Sequence, residues 1–208
     1  MLQKCYTIVD NYRQFDFNSC LKLLNYLGKK KYGTNFQIQK KDLAILHKLI
    51  SYAIGEDEHC ANYGIDLSKG ILLTGPVGCG KTSLITLLPE FMYPHQKYQV
   101  KSTREIANEF HKDGYEIIHR YGRREKAFCI DDLGVEQNIK HFGNECNTIG
   151  EILLHRYDLH VNYGILTHAT TNLNAEELEK LYGNRVRSRL RSMFNLISFP
   201  METKDKRK

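Results

Sequence analysis

The chain has 208 residues, a length that suits one buried α/β core with a small addition but not two full-sized domains. Apolar and charged residues occur in ordinary proportions and are well mixed, and the net charge is +6. No segment has the length and apolarity of a membrane span or a secretory signal, so we expect a cytoplasmic protein without a membrane partner.

The six cysteines are scattered along the chain. They show neither C-x-x-C spacing nor neighbouring histidines at the intervals that zinc sites use. We therefore predict reduced thiols, with no disulfide framework and no zinc site.

Residues 1–40 lack the regular alternation of strands and helices that begins later in the chain. One short amphipathic helix is predicted over Asn18–Leu27, with Asn18 as its N-cap and Gly28 just beyond its end. A second helix is predicted from Lys41 to Ile54. We divide the chain into an N-terminal helical extension over 1–40, a core over 41–200 and a disordered basic tail over 201–208.

From residue 71 onward, apolar runs alternate with helical patterns. The predicted strands are Ile71–Thr74, Tyr98–Lys101, Ala127–Asp131, Gly164–Thr170 and Asn195–Phe199. The predicted helices are Lys81–Leu88, Thr103–His119, Thr148–Val161, Ala175–Leu181 and Arg185–Ser192. Strands and helices of these lengths in alternation indicate an α/β fold with a parallel sheet covered on both faces.

The loop between the first predicted strand and its helix has the pattern G-x-x-x-x-G-K-[S/T]. Its glycines allow successive backbone N–H groups to converge on phosphate oxygens at a helix N-terminus. The predicted nucleotide-binding residues are Gly75, Pro76, Val77, Gly78, Cys79, Gly80, Lys81, Thr82 and Ser83. Lys81 is expected to reach the β- and γ-phosphates, and the Thr82 hydroxyl is expected to ligate Mg²⁺. The alternative is a glycine-rich turn without a ligand.

An apolar run that ends in two carboxylates follows about fifty residues later, at Asp131 and Asp132. We expect this strand to lie next to Ile71–Thr74, which would place Asp131 beside the metal that Thr82 binds. Asp132 would then point toward the γ-phosphate and orient or deprotonate the attacking water. The alternative is a pair of aspartates that opens a turn before Gly134.

Two further features follow. Asn172 ends the next predicted strand, where its amide would contact the γ-phosphate or the water, although asparagine before a helix also serves as a turn or cap residue. Arg185, Arg187, Arg189 and Arg191 then recur at every second position. A guanidinium offered to a neighbouring subunit's phosphate stabilises phosphoryl transfer, whereas the alternative is a basic surface helix.

Basic clusters at Lys29–Lys31, Lys40–Lys41 and Arg120–Arg124 also suggest contact with nucleic acid. Aromatic side chains among such charges stack on unpaired bases. A solvated basic face is the other interpretation of each cluster.

The phosphate loop, the segment Ile130–Gln137 and the stretch His168–Leu190 together resemble the AAA+ ATPases of the DnaC helicase-loader and IstB transposition-helper group. The resemblance spans about residues 41–199 and implies a five-stranded AAA+ core of the P-loop NTPase class. It makes Gly75–Thr82 the Walker A motif, Asp131 and Asp132 the Walker B motif and Asn172 sensor 1. Arg189 or Arg185 would be the arginine finger.

The resemblance also implies partners and cofactors. They are ATP and Mg²⁺, single-stranded DNA, a replicative helicase or a transposase, and further copies of this chain in a homo-oligomer. Two departures stand out: Asp132 occupies a position where many AAA+ proteins have glutamate, and the sequence after the last strand leaves no room for a C-terminal helical lid domain. We therefore expect an ATPase whose turnover is slow or is stimulated by DNA or a partner.

Two other functional classes remain open. A non-hydrolysing switch would bind ATP and grip its partner accordingly, and the aspartate at position 132 favours it. A small-molecule P-loop kinase would need an acceptor pocket and an arginine-rich lid, which the segment between Pro94 and Glu125 does not clearly supply.

Overall fold

The computed structural model describes residues 5–136, 139–141 and 144–206. These residues form two compact units, of which the first contains the chain up to Leu67 together with Ser83–His95. The second contains Ser68–Thr82 and the chain from Gln96 onward. The division does not coincide with the boundary predicted at residue 40, since the first unit extends well beyond it. Within the described residues, no helix is long and apolar enough to cross a membrane.

The first unit opens with a β-hairpin that the sequence analysis missed. Strands β1 (Tyr6–Val9) and β2 (Tyr12–Phe15) pair antiparallel. Asp10 and Asn11 join them, and both have a positive φ, 49° and 66°. Two-residue hairpin loops favour such residues because the left-handed conformation matches the twist of the two strands.

Helix α1 (Phe17–Tyr32) is longer than the predicted helix Asn18–Leu27. Its N-cap is Asp16, whose carboxylate accepts from the Ser19 N–H at 2.8 Å, rather than Asn18. Gly28 lies within the helix, where a Cβ would come 2.0 Å from the Phe36 ring. The glycine therefore makes room for an aromatic ring, and the helix ends at Gly33 instead.

Of the remaining helices that begin in or enter the first unit, two follow the sequence prediction closely and one was not predicted. They are α2 (Leu43–Ile54), preceded by a 3₁₀ turn over Lys40–Asp42; α3 (Asp57–Asn62), which was not predicted; and α4 (Lys81–Leu87), which starts in the second unit.

The second unit contains a five-stranded parallel sheet in the order β4-β5-β8-β3-β9. Its strands are β3 (Gly70–Thr74), β4 (Gln99–Ser102), β5 (Phe128–Leu133), β8 (Thr167–Thr171) and β9 (Phe194–Ser198). A short antiparallel pair, β6 (Ile139–His141) and β7 (Asn144–Cys146), follows β5. The predicted α/β class and the five parallel strands are confirmed.

The expected neighbourhood of the two motif strands is wrong. β5, which carries Asp131, does not lie next to β3, because β8 is inserted between them and pairs with both. All five residues of β8 are buried although their sequence, THATT, is largely polar. Small and β-branched side chains fit a strand that is covered on both faces and both edges, and hydroxyls are tolerated there when they are hydrogen-bonded.

Helices pack against this sheet around one apolar cluster that includes Phe110, Phe128, Ile130 and Leu153. They are α5 (Thr103–Asp113), α6 (Glu116–Gly122), α7 (Thr148–Tyr163), α8 (Ala175–Tyr182) and α9 (Asn184–Met193). The single helix predicted over Thr103–His119 is two helices, because Gly114, with φ +60°, ends α5. Ser102 and Glu105 form a capping box at the start of α5.

The chain beyond β9 differs from the predicted disordered tail as far as residue 206. Thr203 is buried, its N–H donates to the Pro200 carbonyl at 3.0 Å, and the Lys206 N–H donates to the Gly78 carbonyl at 3.0 Å. Residues 207–208 of that predicted tail lie outside the described residues. We call residues 199–206 the C-terminal strap.

Candidate nucleotide site

The phosphate loop runs from the end of β3 to the first residue of α4. Gly78 and Gly80 have φ values of +77° and +105°, which side-chain-bearing residues rarely adopt. These conformations turn the backbone sharply between Pro76 and Lys81, and a concave run of N–H groups at a helix N-terminus is suited to anions. Cys79 is buried and Val77 is exposed, while Ser83 follows Thr82 inside α4.

Lys81 is buried, and its ammonium group has several acceptors. It donates to the carbonyls of Gly75 at 2.8 Å and Pro76 at 3.0 Å. It also donates to Asn172 Oδ1 at 2.5 Å, just past the end of β8. The predicted loop lysine and the predicted sensor residue are therefore in direct contact, 91 positions apart in sequence.

Thr82 and Asp131 form the second contact of the site. The Thr82 hydroxyl donates to Asp131 Oδ1 at 3.1 Å, so the end of β5 meets the start of α4 even though their strands are not neighbours. Burial raises the pKa of Asp131, and the nearby Asp132 charge raises it further, while hydrogen bonds from Thr170 and Thr82 act in the opposite direction. A bound cation would lower the pKa of Asp131, because it favours the ionised carboxylate.

The donor set at this point fits Mg²⁺. A hydroxyl and a carboxylate oxygen 3.1 Å apart are hard ligands of the type that Mg²⁺ takes from proteins when phosphates and waters complete its shell. In the described part of the chain, no group of three or more histidine, cysteine, aspartate or glutamate side chains is arranged to hold a metal by itself. A metal here would therefore be held jointly with a ligand.

Thr170 is a site residue that the sequence analysis missed. Its hydroxyl donates to Asp131 Oδ1 at 2.6 Å and accepts from the Asp132 N–H at 2.9 Å. One side chain from the central strand β8 therefore fixes both aspartates of β5. The only signal in the sequence was a polar residue two positions before Asn172, and the pairing of β5 with β8 was needed to interpret it.

Asp132 has an unusual backbone for a strand residue. Its φ is +59°, and the register between β5 and β8 shifts between Ile130 and Leu133. The Asp132 carbonyl accepts from the Thr103 hydroxyl at 2.8 Å, which holds the irregularity in place. Bulges beside functional sites commonly redirect a side chain, and this one leaves the Asp132 side chain partly exposed.

The arginines of α9 have different surroundings. Arg187 pairs with Glu179 on α8, and the Arg189 guanidinium lies 4.8 Å from the centre of the Tyr157 ring on α7. Arg185 and Arg191 are exposed. The Arg189 guanidinium also donates to the Arg185 carbonyl of its own helix at 3.4 Å. Within the described residues, these contacts of Arg187 and Arg189 lie on α7, α8 and α9 and not at the phosphate loop, so the structure does not bring the predicted fingers into their own chain's site.

Comparisons with known proteins confirm the fold. No protein-family model and no curated protein matches the sequence. The crystal structure of the DnaC helicase loader is similar with a TM-score of 0.56 and 15% identity, over 79% of this chain and 93% of that chain. That of DnaI is similar with a TM-score of 0.55 and 18% identity, over 79% and 88%.

The replication initiator DnaA bound to AMPPCP and single-stranded DNA is also similar, with a TM-score of 0.55 and 16% identity. The match covers 82% of this chain and half, 50%, of that chain. At such identities the likeness shows the fold alone: the chain shares its helix-flanked, five-stranded parallel-sheet fold with a helicase loader, DnaI and a replication initiator. The transposition-helper part of the resemblance is not tested by these structures.

Proposed function

We propose that this protein binds and hydrolyses ATP and acts on DNA as a helicase loader or a related replication or transposition helper. The observation that carries the proposal is the contact of Lys81 with Asn172 and of Thr82 with Asp131 near the carboxyl ends of the inner strands of the sheet. An ammonium group, two oxygens that can ligate a metal and a side-chain amide around a glycine-rich loop are suited to binding a nucleoside triphosphate.

ATP binding would use groups that now contact one another. Lys81 would exchange its carbonyl acceptors for phosphate oxygens, and the loop N–H groups would hold the remaining phosphate charge. Thr82 and Asp131 are the residues that would hold Mg²⁺. When bound, Mg²⁺ neutralises charge on the phosphates.

Hydrolysis would use Asp132 and Asn172. The water oxygen forms a bond to the γ-phosphorus, the bond to the β-γ bridging oxygen breaks, and ADP and phosphate leave. Asp132 would accept the proton of the water, and Asn172 would orient the water or the γ-phosphate through its amide. Thr170, which contacts the Asp131 carboxylate and the Asp132 backbone N–H, would hold the metal ligand beside the backbone that carries the base.

The proposed homo-oligomer involves the arginines of α9. Arg185 is exposed, and the proposed role of Arg185 or Arg189 is to stabilise the transferring phosphoryl group of a neighbouring copy in a homo-oligomer. The test compares R185A and R189A with R191A, which removes the same charge from the same helix. We expect the first or second variant, but not the control, to lose ATPase activity and its dependence on protein concentration.

The proposal also includes contact with DNA and a helicase or transposase as the partner. They are supported by the similarity of the fold to those of a helicase loader and of an initiator bound to single-stranded DNA. The basic last turn of α1, with Lys29, Lys30 and Lys31, adds a surface that could follow a phosphate backbone. The 1–40 segment as a partner-docking region and a cytoplasmic location belong to the same proposal.

The experiment is a steady-state ATPase assay with and without single-stranded DNA. Wild type is expected to release phosphate, with DNA increasing the rate, and K81A is expected to lose turnover. K112A is the matched control, because Lys112 is exposed on α5 and the same charge is removed. Equal activity of K81A and K112A would refute the site, and a rate insensitive to DNA would refute the DNA-stimulated part.

A non-hydrolysing switch is the second candidate, and Asp132 is the observation that favours it. Its carboxylate is one methylene shorter than glutamate and stands on a displaced backbone. Tight ATP binding without phosphate release by wild type would select the switch. In that case D132E, which extends the carboxylate, is the variant expected to gain turnover.

A further inference from the structure

The C-terminal strap lies along the phosphate loop of its own chain. Phe199 continues from β9, and its N–H donates to the Thr74 carbonyl at 2.8 Å, immediately before the loop begins. A Cβ on Gly75 would come 2.6 Å from the Phe199 Cβ, so the first loop glycine is required by the start of the strap. The strap is thereby anchored where β3 enters the loop.

The end of the strap returns to the same loop with two charged residues. The Lys206 N–H donates to the Gly78 carbonyl at 3.0 Å. A Cβ at Gly78 would lie 2.0 Å from Asp205 Oδ1, and a Cβ at Gly80 would lie 3.5 Å from Lys206 Nζ. Each of these loop glycines therefore faces a charged side chain of the strap.

These charges lie beside the backbone that would hold phosphates. Phosphates carry the charge of the nucleotide, and a unit charge within about 10 Å of them is only partly screened at physiological salt. The Lys206 ammonium also lies 5.2 Å from the centre of the buried Phe199 ring, which keeps the side chain against the loop. Lys204, two residues earlier in the strap, is exposed and provides an internal comparison.

We propose that the C-terminal strap is a wall of the nucleotide site in which Lys206 strengthens, and Asp205 weakens, the binding of nucleotide phosphates. The inference rests on the proposed function, since it concerns the same site. It adds to the phosphate loop two affinity-setting residues that follow the last strand of the sheet, on the same chain as the loop.

The test is calorimetric titration of the full chain with ATP and Mg²⁺. We expect K206M to weaken binding by roughly three- to tenfold and D205N to strengthen it by a similar factor, because one unit charge near a polyanion is removed in each. K206R should keep the wild-type affinity, and K204M should change it by less than about twofold. The differences should shrink at high salt.

Three outcomes would overturn the inference. Equal effects of K206M and K204M would mean that only the overall charge matters. Unchanged or weaker binding in D205N would contradict the role of Asp205. If wild type binds ATP and K81A does not, each of these two results refutes the role of the strap but leaves the proposed function standing. The third outcome is a wild type that binds no ATP, which refutes both the proposed function and the inference.

Discussion

A buried cation stands near each end of the parallel strands β5 and β8, and the two ends are built differently. Lys81 lies at the carboxyl ends, where it donates to two loop carbonyls and to Asn172. Arg156 on α7 lies at the amino ends, where it donates to the Thr167 hydroxyl at 2.8 Å and to the carbonyls of Lys126 at 3.1 Å and Leu166 at 2.9 Å. A further bond reaches the Arg124 carbonyl.

Arg156 and Lys81 differ in the hydrogen-bond acceptors that surround them. Those of Arg156 belong to the segments that lead into β5 and β8, so this side chain joins the two strand starts and is fully buried. Burial lowers its pKa to about 10, so it stays charged at neutral pH. The acceptors of Lys81 are loop carbonyls and an amide that a polyanion would replace. We propose that Arg156 stabilises the fold and that Lys81 is available for a ligand.

The largest expected effect is at Arg156. R156M leaves several buried carbonyls without a donor, and we expect the free energy of unfolding to fall by about 3 kcal/mol or more. Urea unfolding at neutral pH measures it, with R123M as the control because Arg123 is exposed. Equal stability of the two variants would contradict a structural role for Arg156 at the amino ends of β5 and β8. Unchanged ATP affinity of folded R156M would support the contrast with Lys81 at the carboxyl ends.

The next largest effect is expected from the pH dependence that His168, the second residue of β8, gives to the stability. Burial and then the Arg156 charge lower its pKa from 6.5 to about 3, and its Nδ1 accepts from the Ile71 N–H at 3.2 Å. Below pH 6.5 the unfolded chain takes up a proton that the folded chain refuses, so stability falls as pH decreases. The contribution is about 1.4 kcal/mol per pH unit down to the folded pKa.

The measurement is urea unfolding of wild type and H168N between neutral pH and about pH 5. Wild type should lose stability more steeply than H168N, since asparagine keeps an acceptor but has no proton to gain. Parallel pH dependences in the two proteins would mean that His168 is not held neutral by the fold, and the acid sensitivity would then have to come from another group.

The smallest effect on stability is expected at Thr170. Comparing Thr170 with its neighbour Thr171 in β8 distinguishes a role in ATP binding from a role in stability. T170V and T171V each remove a buried hydroxyl that is hydrogen-bonded, to Asp131 and to the Leu133 carbonyl respectively. Each should lose about 1–2 kcal/mol of unfolding free energy. Only T170V should also weaken binding of ATP with Mg²⁺, which titration of both variants would measure. Equal affinities would remove Thr170 from the site.

The elements that the sequence predicted well are those whose signals are local. The phosphate loop and the two aspartates of an apolar run have such signals, and both lie in the predicted segments, although β5 continues to Leu133 beyond the predicted strand end at Asp131. The roles of the individual site residues remain predictions. The hairpin at Asp10–Asn11 also had a local signal, alternating residues around a turn pair, which was overlooked.

The missed features depend on pairings between distant segments. The insertion of β8 between β3 and β5 is a property of sheet order, which strand patterns do not specify. Thr170 gained its partners from that order, and Arg156 gained its acceptors from two strand starts brought together by the sheet. Residues 201–208 were expected to be disordered because their composition is polar and charged, but the Lys206 N–H donates to the Gly78 carbonyl of the loop.

The most direct test of the central claim is one calorimetric experiment on ATP and Mg²⁺ with wild type and K81A, paired with urea unfolding of the same samples. If Lys81 is available for a ligand, wild type binds, K81A loses affinity by about a hundredfold or more, and K81A loses less unfolding free energy than R156M does. Equal affinities, or a wild-type chain that binds no ATP, would contradict the account.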